Sequence, residues 1–377
     1  MKEWLIHFIC CPYCQKSLAL RKFETSGGEI QAGVLLCECG RWYPIIDGVP
    51  RILWGEHRGD YTEFVSRYKQ RLPQKIVSEC ESLREITTTS QVRDTFKTIW
   101  DKFPAFGMDD PRKQEFFDKL TARKFGLDSA DELYSFFRNK AAILEVGTGS
   151  GQKLRMMGEH TNGKVIGLDL TSAAEHTYKN TMEMQNVAVI QADLFAPPLK
   201  KGVFDFIISD GVLHHTPDPK RAFLSIVPLL GKGGEILIRV YKKMGIVREF
   251  FTDLIRSYTT RVSEEECWEV CKLITKFAES ISKLQSEIIL PKDDPFLGLK
   301  KGKYSLHQFI YYGVFKCFYN KVFTFDENNM INFDWYRPVD AYRLTEEEVR
   351  QWFAEAGLSN IRIIDLINGI SAIGKKL

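Results

Sequence analysis

Glu145-Val146-Gly147-Thr148-Gly149-Ser150-Gly151 closes an apolar run and opens a turn. Glycines let a backbone turn sharply and approach a ligand closely, and the free N–H groups of a following helix attract a polar or anionic group. The third glycine comes one residue too early for the G-x-G-x-x-G dinucleotide fingerprint, so a smaller, less charged ligand than a pyrophosphate is expected. Asp169 follows Gly151 by 18 residues, where an acid can accept hydrogen bonds from both hydroxyls of a ribose. Asp193 has Leu194 and Phe195 beside it. It can accept from an exocyclic amine while its neighbours sandwich a flat base. Glu145, under the loop, can steady the loop or hold a cationic ligand. Any one of these acids could equally be a helix N-cap. Together, in this order, they suit an adenosine that carries a positive group.

The second constellation is Cys11-Pro12-Tyr13-Cys14, followed 23 residues after Cys14 by Cys37-Glu38-Cys39-Gly40. Two cysteine knuckles can supply four thiolates to a tetrahedral zinc, with Cys11, Cys14, Cys37 and Cys39 as ligands. The second knuckle is C-x-C rather than C-x-x-C, and Cys10 is a spare that could replace a neighbour. A β-rich core with reduced cysteines is the alternative. Cys80, Cys267, Cys271 and Cys317 read as buried structural thiols.

A third pair, His214 and His215, follows an apolar strand. One of them could take a proton from a hydroxyl or phenol; alternatively both order their loop. Tyr241 and Arg239 are further candidates near an acceptor.

These residues need a scaffold. Short β-branched runs at 142–146, 165–169, 187–191, 204–209 and 235–240 alternate with helical stretches. Near-continuous apolar strands spaced by helices predict a parallel sheet covered on both faces, with ligands at the carboxyl ends of its strands. Residues 1–56 are rich in strand and turn signals, and 57–139 are charged and helical in pattern. A helix is predicted over Glu264–Ile281. A second, rich in aromatics, is predicted over Tyr304–Phe325 and expected to lie buried between layers.

The glycine loop with its three acids resembles class I S-adenosylmethionine-dependent methyltransferases. Leu213-His214-His215-Thr216-Pro217-Asp218-Pro219 is similar to the stretch after the fourth strand in small-molecule members. Phe96 to Trp100 looks like their F-x-x-x-W segment, and Phe333 to Leu358 like their closing helix and strand. The resemblance implies an α/β fold, a Rossmann-like sheet with helices on both faces. It also implies cofactor contacts from Glu145, Gly147, Thr148, Gly149, Gly151, Asp169, Leu170, Asp193, Leu194 and Asp210. The segment from Leu36 to Pro50, with its Tyr43-Pro44-Ile45-Ile46-Asp47-Gly48-Val49-Pro50 end, resembles the small zinc-ribbon activator subunits of tRNA, rRNA and protein methyltransferases. That implies a ribbon over 1–56 fused to a methyltransferase domain over 140–377, with a helical cap inserted at about 242–330.

The chain has 377 residues, 44% hydrophobic and 27% charged, with a net charge of +3. This is the make-up of a globular protein and not of a disordered, collagenous or disulfide-stapled one. The near-neutral charge favours a small or medium-sized metabolite as methyl acceptor, aromatic or lipid-like, over nucleic acid. The ribbon favours tRNA, rRNA or protein. A non-catalytic cofactor-binding scaffold is the third reading. Nine cysteines, five of them before residue 40, do not resemble a secreted disulfide framework. The first apolar run is too short for a signal peptide, and no run is long enough for a membrane span. A cytoplasmic enzyme is expected.

Overall fold

The computed structural model describes residues 1–53, 57–82, 91–367 and 369–377. Residue 56, the expected end of the ribbon, lies outside them, as does the side chain of Cys80. The chain begins with an antiparallel meander: β1 (Ala19–Ser26), β2 (Glu29–Leu36), β3 (Trp42–Ile46) and β4 (Val49–Ile52). Five helices follow: α1 (Thr62–Arg67), α2 (Gln74–Ser82), α3 (Gln91–Lys102), α4 (Pro111–Lys124) and α5 (Ala130–Arg138). The central unit then alternates β5 (Ala142–Val146), α6 (Gln152–His160), β6 (Lys164–Asp169), α7 (Ala173–Thr181), β7 (Val187–Ala192), β8 (Phe204–Asp210), α8 (Pro219–Ile226) and β9 (Leu230–Tyr241). The five strands expected from the sequence are all present, with ends shifted by a few residues.

After β9 come α9 (Ile246–Thr259), α10 (Glu264–Ser282), the hairpin β10 (Glu287–Leu290) and β11 (Gly302–Ser305), α11 (Leu306–Gly313) and α12 (Phe325–Tyr336). These form the cap. The chain closes with α13 (Glu346–Glu355), β12 (Leu358–Leu366) and β13 (Gly369–Lys376).

The main sheet has the order β1-β2-β3-β4-β7-β6-β5-β8-β9-β13-β12. From β4 to β9 neighbours run parallel across the β7, β6, β5 and β8 strands, and β13 enters antiparallel beside β9. Side chains alternate between its two faces. Ile143, Val165, Val189, Phe206 and Leu237 pack under helices α4 to α7. Leu144, Ile166, Ile190, Ile207 and Ile236 face α8 and α13 on the other side. This is the Rossmann-like α/β sheet with both faces covered.

The ribbon is not a bead on a string. β4 pairs in parallel with β7, Arg51 opposite Gln191 and Ile52 opposite Ala192. Leu5, Ile9, Cys11, Leu35, Tyr43 and Ile45 belong to the same core as β5–β9. A segment this short cannot bury a large core alone, and here it borrows one. Among the described residues, no helix is long and apolar enough to cross a membrane.

The aromatic stretch departs from the expected helix over Tyr304–Phe325. Only Leu306–Gly313 is helical, and the chain then runs irregularly until α12. Gly313 and Val314 are weak helix formers, and α12 offers the following backbone better partners. Asn332 Oδ1 accepts from the Phe318 N–H at 2.7 Å while its Nδ2 donates to the Phe318 carbonyl at 3.0 Å. Asn328 Oδ1 accepts from the Asn320 N–H at 2.7 Å. Both asparagines are fully buried. The helix over Glu264–Ile281 is present as α10, with Cys267 and Cys271 buried on one face.

Candidate active site

The glycine loop joins β5 to α6 and lines a cavity of about 680 Å³. Gly147 has φ +79°, and a Cβ there would meet Val212 at 2.2 Å. Gly149 has φ +56°, and a Cβ would meet the Trp100 ring at 2.7 Å. Only glycine satisfies both the conformation and the space. Gly151 sits behind the loop as the N-cap of α6.

Asp169, at the end of β6, clasps the loop. Its Oδ2 accepts from the Thr148 and Gly149 N–H groups at 2.9 and 3.3 Å. Its Oδ1 accepts from the Thr171 N–H and hydroxyl at 2.9 and 2.8 Å. Burial pushes its carboxyl above the ordinary value, against these donors. Asp193 follows β7; its Oδ1 accepts from the Phe195 N–H at 2.9 Å and its Oδ2 lies 3.8 Å from His57 Nε2. Gly147, Thr148, Gly149, Asp169, Leu170, Asp193, Leu194 and Asp210 all line the cavity. The structure therefore brings together residues spread over 64 positions of sequence, because parallel strands share one carboxyl edge.

Glu145 lies below this lining. It is fully buried, and neither carboxylate oxygen has a hydrogen-bond partner. Burial pushes it up to about 8, against the pull of Lys153, whose Nζ is 3.8 Å away. Asp210, at the end of β8, takes Lys124 Nζ at 2.6 Å, with Lys153 Nζ at 3.6 Å and Arg239 Nη1 at 3.9 Å. Burial opposes its charge, but these three cations outweigh burial and hold the carboxyl below the usual range. Lys124 and Lys153 line the cavity and were not singled out in the sequence. A lysine two residues past the last glycine was the available signal for Lys153; Lys124 is set by the packing of α4 and has none.

The remaining lining comes from α3, the turn after β8 and α12. Phe96, Ile99, Trp100, Met330, Ile331 and Asp334 line the cavity here with His215. His215 Nδ1 donates to the Asp340 carbonyl at 2.7 Å. A carbonyl can only accept, so Nε2 keeps its lone pair. Nε2 lies 3.4 Å from the Tyr241 hydroxyl, which donates to Asp334 Oδ2 at 2.9 Å. Burial keeps His215 below its ordinary pKa. His214 is placed differently. It is fully buried, stacks on Tyr241 at 3.7 Å, does not line the cavity, and has no partner on either ring nitrogen. Burial drives it well below the ordinary value, which fixes it neutral. The rest of the motif builds a helix start: Asp218 caps α8 by accepting from the Arg221 N–H at 2.9 Å, and Pro219 fills its first turn.

The cysteine knuckles converge as expected. The sulfurs of Cys11, Cys14, Cys37 and Cys39 all lie within 4.8 Å of one another. Cys11–Cys39 is 3.8 Å and Cys14–Cys37 is 3.3 Å. Four sulfurs at about 2.3 Å from a tetrahedral zinc stand about 3.8 Å apart, so the set fits that ion. Cys10 lies outside the set, with its sulfur 3.6 Å from Gln15 Oε1.

Residues 144–238 match the family described as a methyltransferase domain, and residues 2–48 match Trm112p-like protein. A stretch of 112 residues, 28% of this chain, is 26% identical to phosphoethanolamine N-methyltransferase 2 of Caenorhabditis elegans. That stretch spans 25% of the relative's length. Among solved structures, the chain is similar to a SAM dependent methyltransferase from Aquifex aeolicus, with 15% identity, 75% of this chain and 98% of that chain covered, and a TM-score of 0.39. It is also similar to a chain of the complex between the Haloferax volcanii Trm112 methyltransferase activator and a methyltransferase, with 14% identity, 73% of this chain and 96% of that chain covered, and a TM-score of 0.38. One polypeptide thus holds a segment, 2–48, that matches a Trm112p-like model and, behind it, a segment, 144–238, that matches a methyltransferase-domain model within a Rossmann-like sheet.

Proposed function

We propose that the chain transfers a methyl group from S-adenosylmethionine to a small or medium-sized acceptor. The observation that carries this is a single cavity lined both by the glycine loop, Asp169 and Asp193 and by His215. S-adenosylmethionine would supply an electrophilic methyl group on a sulfonium. Asp169 lines the cavity and is the ribose acceptor of this reading, exchanging some of its four present donors, the Thr148, Gly149 and Thr171 N–H groups and the Thr171 hydroxyl, for ribose hydroxyls. Asp193, with Leu194 beside it, serves the base. Glu145, with two unsatisfied oxygens under the loop, suits a cationic group, and its burial makes a positive charge welcome there. His215 presents an unprotonated Nε2 and is the proton acceptor of this reading, with Tyr241 and Asp334 fixing its surroundings. His214 is not in the cavity lining and packs neutral against Tyr241 behind it. The aromatic and aliphatic roof over the cavity excludes water and restricts the acceptor's size, and holding two reactants in line supplies much of the rate. Cys11, Cys14, Cys37 and Cys39 would hold a structural zinc.

The Trm112p-like match favours a second reading, in which the acceptor is tRNA, rRNA or protein and the ribbon is a module for it. Calorimetric titration with S-adenosylmethionine tests the first step. Wild type is expected to bind, Asp169→Ala at least tenfold more weakly, and Gly149→Arg not at all. No binding by wild type would sink the proposal. Labelled methyl groups appearing in total RNA and not in a small-molecule extract would decide for the second reading.

A further inference from the structure

Cap and sheet meet around Trp335 of α12. Arg248 of α9 places its guanidinium carbon 5.6 Å from that ring and 5.2 Å from the Tyr311 ring. Lys316 Nζ lies 4.3 Å from the same tryptophan and 5.5 Å from the Tyr241 ring. Both cations are buried, Arg248 at 1% exposure and Lys316 at 6%. Among the described residues, neither has a carboxylate in ion-pair contact. Arg248 Nε and Nη1 meet no acceptor at all. The same is true of Trp335 Nε1, of Thr252 Oγ1 one turn along α9, and of both ring nitrogens of His214.

A buried donor without a partner costs about 1–3 kcal/mol, and an unpaired buried charge costs more. A fold that needed these groups only for packing would do better with apolar side chains. Arginine, lysine and the indole N–H only donate. Their common complement is an anion with several acceptor oxygens. The nearest acid, Asp334, already takes the Tyr241 hydroxyl, and Arg239 lies against Asp210. A guanidinium stays charged, while burial pushes the Lys316 ammonium down to about 7; an anion between the two would favour its charged form.

The cluster lies directly behind the cavity wall: none of its five side chains is in the lining, but their neighbour Asp334 is. Asp334 lines the cavity and is adjacent on α12 to Trp335, and Tyr241 stacks on Trp335 at 4.2 Å while bonding Asp334. We propose that Arg248 and Lys316 form an acceptor subsite that holds a carboxylate or phosphate group of the methyl acceptor. Trp335, Tyr311 and Tyr241 surround the two cations and would flank the bound group. This rests on the methyl-transfer reading above and narrows its substrate class to anionic acceptors.

The full chain saturated with S-adenosylhomocysteine can be titrated with benzoate, with phenyl phosphate and with neutral benzyl alcohol. At least one anion binds saturably, and benzyl alcohol binds at least tenfold more weakly. Arg248→Met and Lys316→Met each weaken the anion about 10- to 100-fold, as loss of one charge-assisted contact does. Arg248→Lys, which keeps the charge, stays within about fivefold of wild type. All variants are checked for S-adenosylhomocysteine binding; should Arg248→Met lose it, Lys316→Met decides. A wild type that binds S-adenosylhomocysteine but neither anion overturns the subsite alone. So does anion binding undiminished in the methionine variants. A wild type that fails to bind S-adenosylhomocysteine overturns the methyl-transfer reading and the subsite with it.

Discussion

The ribbon and the cap are both additions to the same sheet, and they are held in opposite ways. The ribbon enters through β4 beside β7 and has a small set of close-range ties: two knuckles whose four sulfurs gather within 4.8 Å. The cap enters between β9 and β13 and is tied by buried polar side chains that reach across long stretches of sequence. Asn332 bonds Thr275 and Phe318, Arg256 donates to the Trp335 and Pro338 carbonyls, and Arg337 donates to the Thr259 and Val262 carbonyls. A metal cage concentrates stability in four side chains. A buried polar network distributes it, and every member must be satisfied.

The largest effect that follows is on the ribbon. A structural zinc contributes about 10–16 kcal/mol to the folding of small zinc peptides. Because the ribbon shares its core with the sheet, part of that structure survives metal loss. Cys37→Ser, or chelation of the wild type, is expected to lower the denaturation midpoint of the ribbon by the equivalent of several kcal/mol and to abolish stoichiometric zinc. A Cys37→Ser protein with one zinc per chain and an unchanged midpoint would show that the two additions do not differ in this way.

The cap gives the next effect. Asn332→Ala leaves the Phe318 N–H and carbonyl short of a buried partner, while the Thr275 hydroxyl keeps the Cys271 carbonyl and Asn329 Oδ1. Unsatisfied groups at about 1–3 kcal/mol each predict a loss of about 2–4 kcal/mol in chemical denaturation. No other cap asparagine replaces these bonds, so a loss below about 0.5 kcal/mol would mean that the network is not what holds the irregular segment 314–324.

The same contrast explains what could be read from the sequence. The knuckles, the glycine loop and the strand-end acids are legible because each depends on near neighbours: Gly147 and Gly149 on their own φ, Asp169 on the end of its own strand. The aromatic segment after Gly313 misled because periodicity assigned it to a helix. Its backbone is instead bonded by Asn328 and Asn332, which lie on the next helix and carry no signal at residues 314–320. His215 was legible as a residue at a strand end, but its separation from His214 was not. Adjacent histidines in a short 3₁₀ turn point in different directions, and only the position of Asp340, 125 residues away, shows which one keeps a usable lone pair. Asp334 and Lys124 owe their places in the cavity to helix packing alone.

The smallest effect tests whether the segment that follows the ribbon reaches the cavity as strongly as the cap does. Just beyond β4, His57 lines the cavity with its Nε2 3.8 Å from Asp193 Oδ2. Its side chain keeps 21% of its exposure, so solvent screens the contact and it is worth about 0.2–1 kcal/mol at most. His57→Ala is therefore expected to change S-adenosylmethionine affinity by no more than about fivefold. Asp193→Ala removes a buried carboxylate whose other oxygen is fixed by the Phe195 N–H, and a charged hydrogen bond of about 1.5–3 kcal/mol predicts a loss of more than tenfold. Calorimetric titration of both variants separates the cases. Equal losses would make the segment that follows the ribbon as much a part of the donor site as β7 itself, while the ribbon would still act on the cavity through the sheet it extends.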